Sequence, residues 1–214
     1  MQIVYQDRAV AVVLKPAGVV STDVPGGLPE LARQQLGWDN IRTVHRLDQV
    51  VSGLTVLAKT ARAASDLSRQ IREDRFGKKY LAVVHGTPEE SGTLEDLLLR
   101  DKQERKTYVV PSPGKNVQQA VLRYKVLDQK ENMSLVEIQL VTGRTHQIRC
   151  QFASRGYPLV GDKKYGLGED CDTALWSAEL TFSHPYTGVA LAFSAPTPAQ
   201  WPWSVFRQEE KENL

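Results

Sequence analysis

Two alternating runs, Gln119 to Leu127 and Ser134 to Val141, flank a polar turn at Asp128 to Asn132. A period of two sends successive side chains to opposite faces, so these runs predict an antiparallel pair. The same spelling recurs along the chain. Ile3 to Tyr5 and Ala9 to Leu14 read as a hairpin around Gln6-Asp7-Arg8, and Lys15-Pro16-Ala17-Gly18 stops its second strand. Leu54 to Ala58 and Tyr80 to His85 are further strands, and Ala174 to Phe182 with Val189 to Ser194 forms a last hairpin.

Helical spacing is confined to three places. Pro29 to Leu36 has Pro near its start and Gly37 after its end. Thr60 is placed to cap a helix running to about Arg75, with Ala64, Leu67 and Ile71 on one face and Gly77 as the stop. Thr145 is placed to cap a third helix to Arg155, stopped by Gly156. Strands outnumber helices and the turns are short, which predicts an α+β fold with a mainly antiparallel sheet. No repeat or composition shift marks a boundary. The expectation is one domain over 1–206 followed by a charged tail over 207–214.

Composition narrows the function classes. A hydrophobic fraction of 41% supports a real core, and a net charge of +2 does not by itself demand a nucleic-acid partner. Cys150 and Cys171 form no CxxC pair, and His45, His85, His146 and His184 show no ligand spacing, so no metal site is expected. There is no Walker or GxGxxG pattern, no signal peptide and no apolar run of membrane-spanning length. The expectation is a cytoplasmic protein without cofactor.

Three polar clusters could carry chemistry. His45-Arg46-Leu47-Asp48 directly precedes an apolar strand; residue types alone favour a turn-capping role for Asp48, since polar loops are the default before strands. Thr142-Gly143-Arg144-Thr145-His146-Gln147-Ile148-Arg149 opens a helix, with His146 and Arg149 three apart on one face; a capped, solvated first turn would look the same. Lys78-Lys79-Tyr80 starts a strand, where Tyr80 could be core or could stack on a planar ligand.

Taken together, these segments resemble the RluA-type pseudouridine synthases. HRLDQVVSGLTVLAKT is similar to that family's HRLD-x-x-S/T-SGLLLLAK signature, and KKYLAVVHG to its K-x-Y-x-A-x-V-x-G strand. TGRTHQIRCQFASRGYPLVGDKKYG resembles its GR-S/T-HQ-I/L-R segment with the trailing GD-x-x-YG, and VVLKPAGVV its KP-x-G element. The resemblance covers about Ile3 to Phe193. It implies a mixed, mainly antiparallel sheet with a central active-site cleft, without the S4 domain that many members carry. It implies isomerisation of uridine in structured RNA, ribosomal or transfer, after base flipping and by a monomer.

The resemblance also assigns roles. Asp48 becomes the nucleophile, Arg149 the cation that holds the Asp48 carboxylate charged, and Tyr80 the contact to the uracil face that assists loss of the C5 proton. Arg46, His45, Lys15, Arg144 and His146 become RNA contacts, and Arg62, Arg69, Lys163 and Lys164 are further phosphate candidates or solvated surface charges. Val51 departs from the pattern, which usually has a hydroxyl residue there. Two rivals stay open. A non-catalytic RNA-binding protein on this fold would explain the basic segments. A carboxylate-based glycosidic hydrolase would need a second acid, for which Asp162, spelled like a turn residue, is the nearest choice.

Overall fold

A computed structural model describes residues 1–207. The tail expected over 207–214 therefore lies, apart from Arg207, outside the described residues. In chain order the elements are β1 (Gln2–Gln6), β2 (Val10–Lys15), α1 (Leu28–Leu36), β3 (Arg42–Thr43), β4 (Ser52–Ala58), α2 (Ala61–Arg72) and β5 (Gly77–His85). There follow β6 (Ser91–Asp101), β7 (Lys106–Val110), β8 (Val117–Lys130), β9 (Met133–Leu140), α3 (Gln147–Ala153), β10 (Leu175–Ser183), β11 (Ala190–Ser194) and a 3-10 turn at Trp203–Phe206. This is the expected mixed α+β architecture with mainly antiparallel strands. The described residues divide into two compact units, Met1–Tyr80 with Leu175–Pro196, and Leu81–Ala174 with the described chain after Pro196.

In the first unit the strands run β1-β2-β4-β10, with β11 on β10 and β3 on β4. β1 and β2 pair antiparallel around the expected turn, where Asp7 Oδ1 accepts the N–H groups of Ala9 (2.7 Å) and Val10 (2.9 Å). β2 lies antiparallel to β4, while β4 and β10 are parallel, Gly53 facing Ser177. A Cβ on Gly53, at φ 113°, would stand 2.5 Å from the Ser177 carbonyl oxygen. Only glycine allows that approach, which gives the Ser-Gly pair after the HRLD segment a steric reason. The core on one side joins Val10, Val12, Leu54 and Val56 to Leu67, Phe76 and Leu180.

Helix α1 ends as expected, with Gly37 left-handed and its N–H on the Arg33 carbonyl. Thr60 caps α2, its Oγ1 accepting from Ala63 N–H at 3.1 Å. The helix stops at Arg72 rather than about Arg75, because Asp74 turns to φ 54°. Gly77 is not its stop but the first residue of β5, packed where a Cβ would meet Thr181 Oγ1. The buried face is centred on Ala63, Leu67 and Gln70; Ala64 and Ile71 flank it, half-buried. Gln70 can be buried because its amide donates to the Ser183 carbonyl and accepts from Ser183 N–H.

In the second unit the order is β5-β9-β8-β6-β7. β8 and β9 pair antiparallel as expected, but through the tight turn Glu131-Asn132, both residues at positive φ. Strand β8 carries on to Lys130, past the Asp128 expected to begin the turn, with an irregularity between Val126 and Asp128.

Candidate active site

Asp48 belongs to no regular element. Backbone bonds hold it on both sides. Leu47 is buried; its N–H donates to Ser21 Oγ at 3.1 Å, and that hydroxyl donates to the Leu47 carbonyl at 2.8 Å. Gly18 N–H donates to the Gln49 carbonyl, and Gln49 Nε2 to the Gly18 carbonyl, both at 2.9 Å. Val51 N–H closes the turn on the Asp48 carbonyl at 3.0 Å. The Val51 side chain is buried, so the turn is closed by main chain where a hydroxyl was the usual spelling. Around this segment Arg46 is exposed, Leu47 buried and Asp48 half-buried, the alternation of an extended stretch.

Lys15, only 1% exposed, fastens the two loops together. Its Nζ donates to the carbonyls of Pro16 (2.9 Å), Val19 (2.7 Å) and Gln49 (3.2 Å). Burial lowers its pKa from 10.5 to about 8, against the pull of the Asp48 carboxylate. An ammonium so enclosed does not suit the phosphate contact expected of it; it acts on the loop bearing Asp48. Tyr80 is also buried, and burial followed by the Asp48 charge raises its phenol well above the ordinary tyrosine range. Lys15 and Tyr80 are thus each within electrostatic reach of Asp48.

His45 is a strut. Its Nε2 accepts from Val56 N–H at 3.2 Å, and its ring lies 5.5 Å from that of Phe76. Burial, reinforced by Lys78, lowers its pKa to about 3, so the ring is neutral. A neutral imidazole bonded to β4 does not suit the RNA contact expected of it. Arg46 keeps its exposed position.

The second cluster gathers at the start of α3. The expected cap, Thr145, is exposed, and the residue at the cap position is His146, left-handed at φ 56° with no side-chain cap. The loop is secured from inside the helix instead: Gln147 Oε1 accepts from Arg144 N–H (2.9 Å) and Thr142 Oγ1 (2.8 Å). His146 therefore precedes the helix, and does not share a regular helical face with Arg149. Tyr165 joins the two. Its hydroxyl accepts from Thr107 N–H and lies 2.7 Å from His146 Nδ1, while the Arg149 guanidinium sits 5.0 Å from its ring centre. Arg144 is exposed and its Nε donates to the Gln119 carbonyl at 2.9 Å.

Arg149 is buried and grips Asp162 through Nε (2.7 Å) and Nη2 (2.8 Å). Asp162 is fully buried, and its Oδ1 also accepts from Lys164 N–H and Tyr165 N–H. Burial pushes its pKa up, but the Arg149 bonds and charge and the two N–H groups outweigh that and hold the carboxyl below its ordinary range. Asp162 is a turn residue and an ion-pair partner at once. Its signal was the GD-x-x-YG spelling, in which the Asp and the Tyr three residues later both meet Arg149.

The family described as RNA pseudouridylate synthase matches residues 9–154. An uncharacterized RNA pseudouridine synthase of Bacillus subtilis is 38% identical over 92% of this chain and 69% of its own length. The dual-specificity RNA pseudouridine synthase RluA of Escherichia coli is 37% identical over 91% of this chain and 92% of its own. The solved structure of human RNA Pseudouridylate Synthase Domain Containing 1 superposes with a TM-score of 0.80 at 26% identity, covering 93% of this chain and 84% of that one.

Proposed function

The chain belongs to the RNA pseudouridylate synthase family and is a uridine isomerase acting on RNA, and we propose that Asp48 is its nucleophile. The reaction breaks the N1–C1′ bond, turns the base and forms a C5–C1′ bond; C5 loses a proton and N1 gains one. Atoms balance without a redox partner. The carboxylate attacks the nucleotide and leaves again once the new bond has formed. The observation that carries this reading is the setting of Asp48: a half-buried carboxylate on irregular backbone, with the enclosed Lys15 ammonium and the Tyr80 phenol close enough to feel its charge.

Tyr80 keeps its proton at neutral pH, which favours a contact to the uracil face over direct uptake of the C5 proton. The family resemblance assigns Arg149 the role of holding the Asp48 carboxylate charged, and Asp162 fixes the plane of its guanidinium. The target uridine leaves its stack to react, at a cost of a few kcal/mol, roughly, and exposed Arg46 stabilises the gap by stacking and phosphate contact. The substrate is a stem-loop of ribosomal or transfer RNA. A glycosidic hydrolase would need Asp162 as a proton donor, and a buried carboxyl held charged by an arginine is the wrong group for that work.

The test is Asp48→Asn, which keeps shape and loses nucleophilicity. Tritium release from C5-labelled uridine RNA should fall by more than about 10⁴-fold, as for loss of a nucleophile elsewhere, with melting temperature and RNA affinity nearly unchanged. Turnover near wild type would remove Asp48 from the role. Release of free uracil by the wild type would point to the hydrolase. Mapping pseudouridines in RNA from cells with and without the gene identifies the substrate.

A further inference from the structure

Helix α2 and its flanks carry a local surplus of positive charge. The stretch from Lys59 to Lys79 carries seven Lys and Arg against Asp66, Glu73 and Asp74, a surplus of four in a chain whose net charge is +2. The remainder of the chain is thus net negative by two. Part of the surplus is neutralised locally. Arg69 pairs with Asp66, Arg75 with Glu73, and Lys79 with Glu179. Arg62 and Arg72 are exposed and, among the described residues, no carboxylate lies within ion-pair distance of either.

These two arginines share the solvent side of α2. Ten residues at ~100° each place them about 80° apart around the axis and ~15 Å apart along it, with Arg69 between them. Arg62 is also held in place. Its guanidinium lies 5.4 Å from the ring centre of Tyr186, whose hydroxyl bonds Thr60 Oγ1, the α2 cap, at 2.5 Å. A side chain so stacked loses less freedom on binding than a loose surface arginine. Arg42, exposed on β3 opposite Ala58, extends the row past Lys59 at the start of the helix.

We propose that the outer face of α2, led by Arg62 and Arg72, docks the phosphate backbone of a base-paired arm of the substrate RNA. The proposal rests on the reading that the substrate is a structured RNA. The aromatic setting favours a paired arm over a single strand. Single strands are gripped by open rings on which bases stack. Here the Tyr186 ring is covered by Arg62, the Trp38 ring lies under Lys59, and Phe76 is buried. What remains is an exposed row of cations, which suits phosphates and carries no base readout. From Arg42 the chain reaches Asp48 in six residues, so that end of the row lies within ~20 Å of the nucleophile.

The test uses the full chain and two synthetic RNAs, a uridine-containing loop on a one-turn duplex stem and the same loop without the stem. Affinities are measured by equilibrium titration across a potassium chloride series. Arg62→Gln with Arg72→Gln should flatten the log–log salt slope on the stem-loop by about two, since each neutralised phosphate contributes ~0.9 to it. Affinity at moderate salt should drop at least about tenfold there and much less on the stemless loop. The doubly lysine-substituted variant, Arg62→Lys with Arg72→Lys, should recover most of the slope, and matched melting temperatures show that all variants fold. An unchanged slope on the stem-loop, or an equal drop on both RNAs, overturns the docking surface. Because binding needs no turnover, this result is independent of the role of Asp48; failure of the wild type to bind either RNA would instead count against the structured-RNA reading.

Discussion

The segments that carry Asp48 and Arg149 are fixed by different means. Asp48 stands on irregular backbone, and its neighbours are fixed through main-chain groups: Leu47 to Ser21, Gln49 to Gly18, and the Lys15 ammonium on three carbonyls. Arg149 stands on a helix and is fixed through the nitrogens that carry its charge, by the carboxylate of Asp162. The first arrangement fixes the neighbours of Asp48 through the backbone. The second makes position and charge inseparable. Replacement of Asp48, the proposed nucleophile, should cost activity above all, whereas replacement around Arg149 should cost both activity and stability.

The largest effect expected on stability comes from Asp162→Asn. Removing one partner of a buried ion pair typically costs about 3–5 kcal/mol, read by urea unfolding at neutral pH. The pH dependence follows from the lowered pKa of Asp162. The folded state binds fewer protons than the unfolded one near and below the ordinary value of 3.8, so stability from this group is present above that value and is lost as pH falls through the folded pKa. The gap between wild type and variant should close in acid. A variant as stable as wild type at neutral pH would undo this contrast.

Arg149→Lys keeps the charge and loses the fork. A point charge cannot match both Asp162 oxygens at once. Turnover should fall roughly a hundredfold, about 2.7 kcal/mol, in single-turnover assays at saturating RNA. Normal turnover would show that charge alone is what Arg149 provides.

Lys15→Met probes the backbone-held side. It leaves the carbonyls of Pro16 and Val19 without this donor, for about 1–3 kcal/mol. It should also remove a pH slope. With a folded pKa of about 8 against 10.5, the folded state binds fewer protons between those values, so wild-type stability from this group rises with pH across that window. Below it the contribution is flat. A wild type without that rise would mean that the Lys15 amine is not desolvated.

The smallest effect is expected at Arg46. Arg46→Ala should slow modification of structured RNA several-fold, under about 1.4 kcal/mol, and a short unpaired oligomer much less, since there is little stacking to replace. Equal losses on both RNAs would leave Arg46 as a support of the loop.

Where spelling and structure part, the cause is the same each time: a local pattern does not say what lies opposite. Ser91 to Asp101 carries no strand signal because only Leu94 and Leu98 of its eleven residues are buried, too few for an alternating pattern. Asp128 to Asn132 is spelled as a long polar turn, yet pairing with β9 extends β8 to Lys130 and leaves two turn residues. Gly77 is spelled as a helix stop, but the close passage of Thr181 is what requires it.

The alternation that makes the hairpins, the Thr60 and Gly37 helix signals, and the ordered motifs that carry the family are all set by sequence alone. They are local properties, written in neighbouring residues and readable from their spacing. Which charges are enclosed, and by what, was left to the packing of the folded chain. Nothing near Lys15 in sequence says that its ammonium will end on the carbonyl of Gln49, or that His45 will be neutral against Val56. Nor does Asp162 announce Arg149 thirteen residues earlier. Burial and partner choice depend on segments distant in the chain, and desolvation, which sets whether such a group keeps its charge, exists only once those segments have packed.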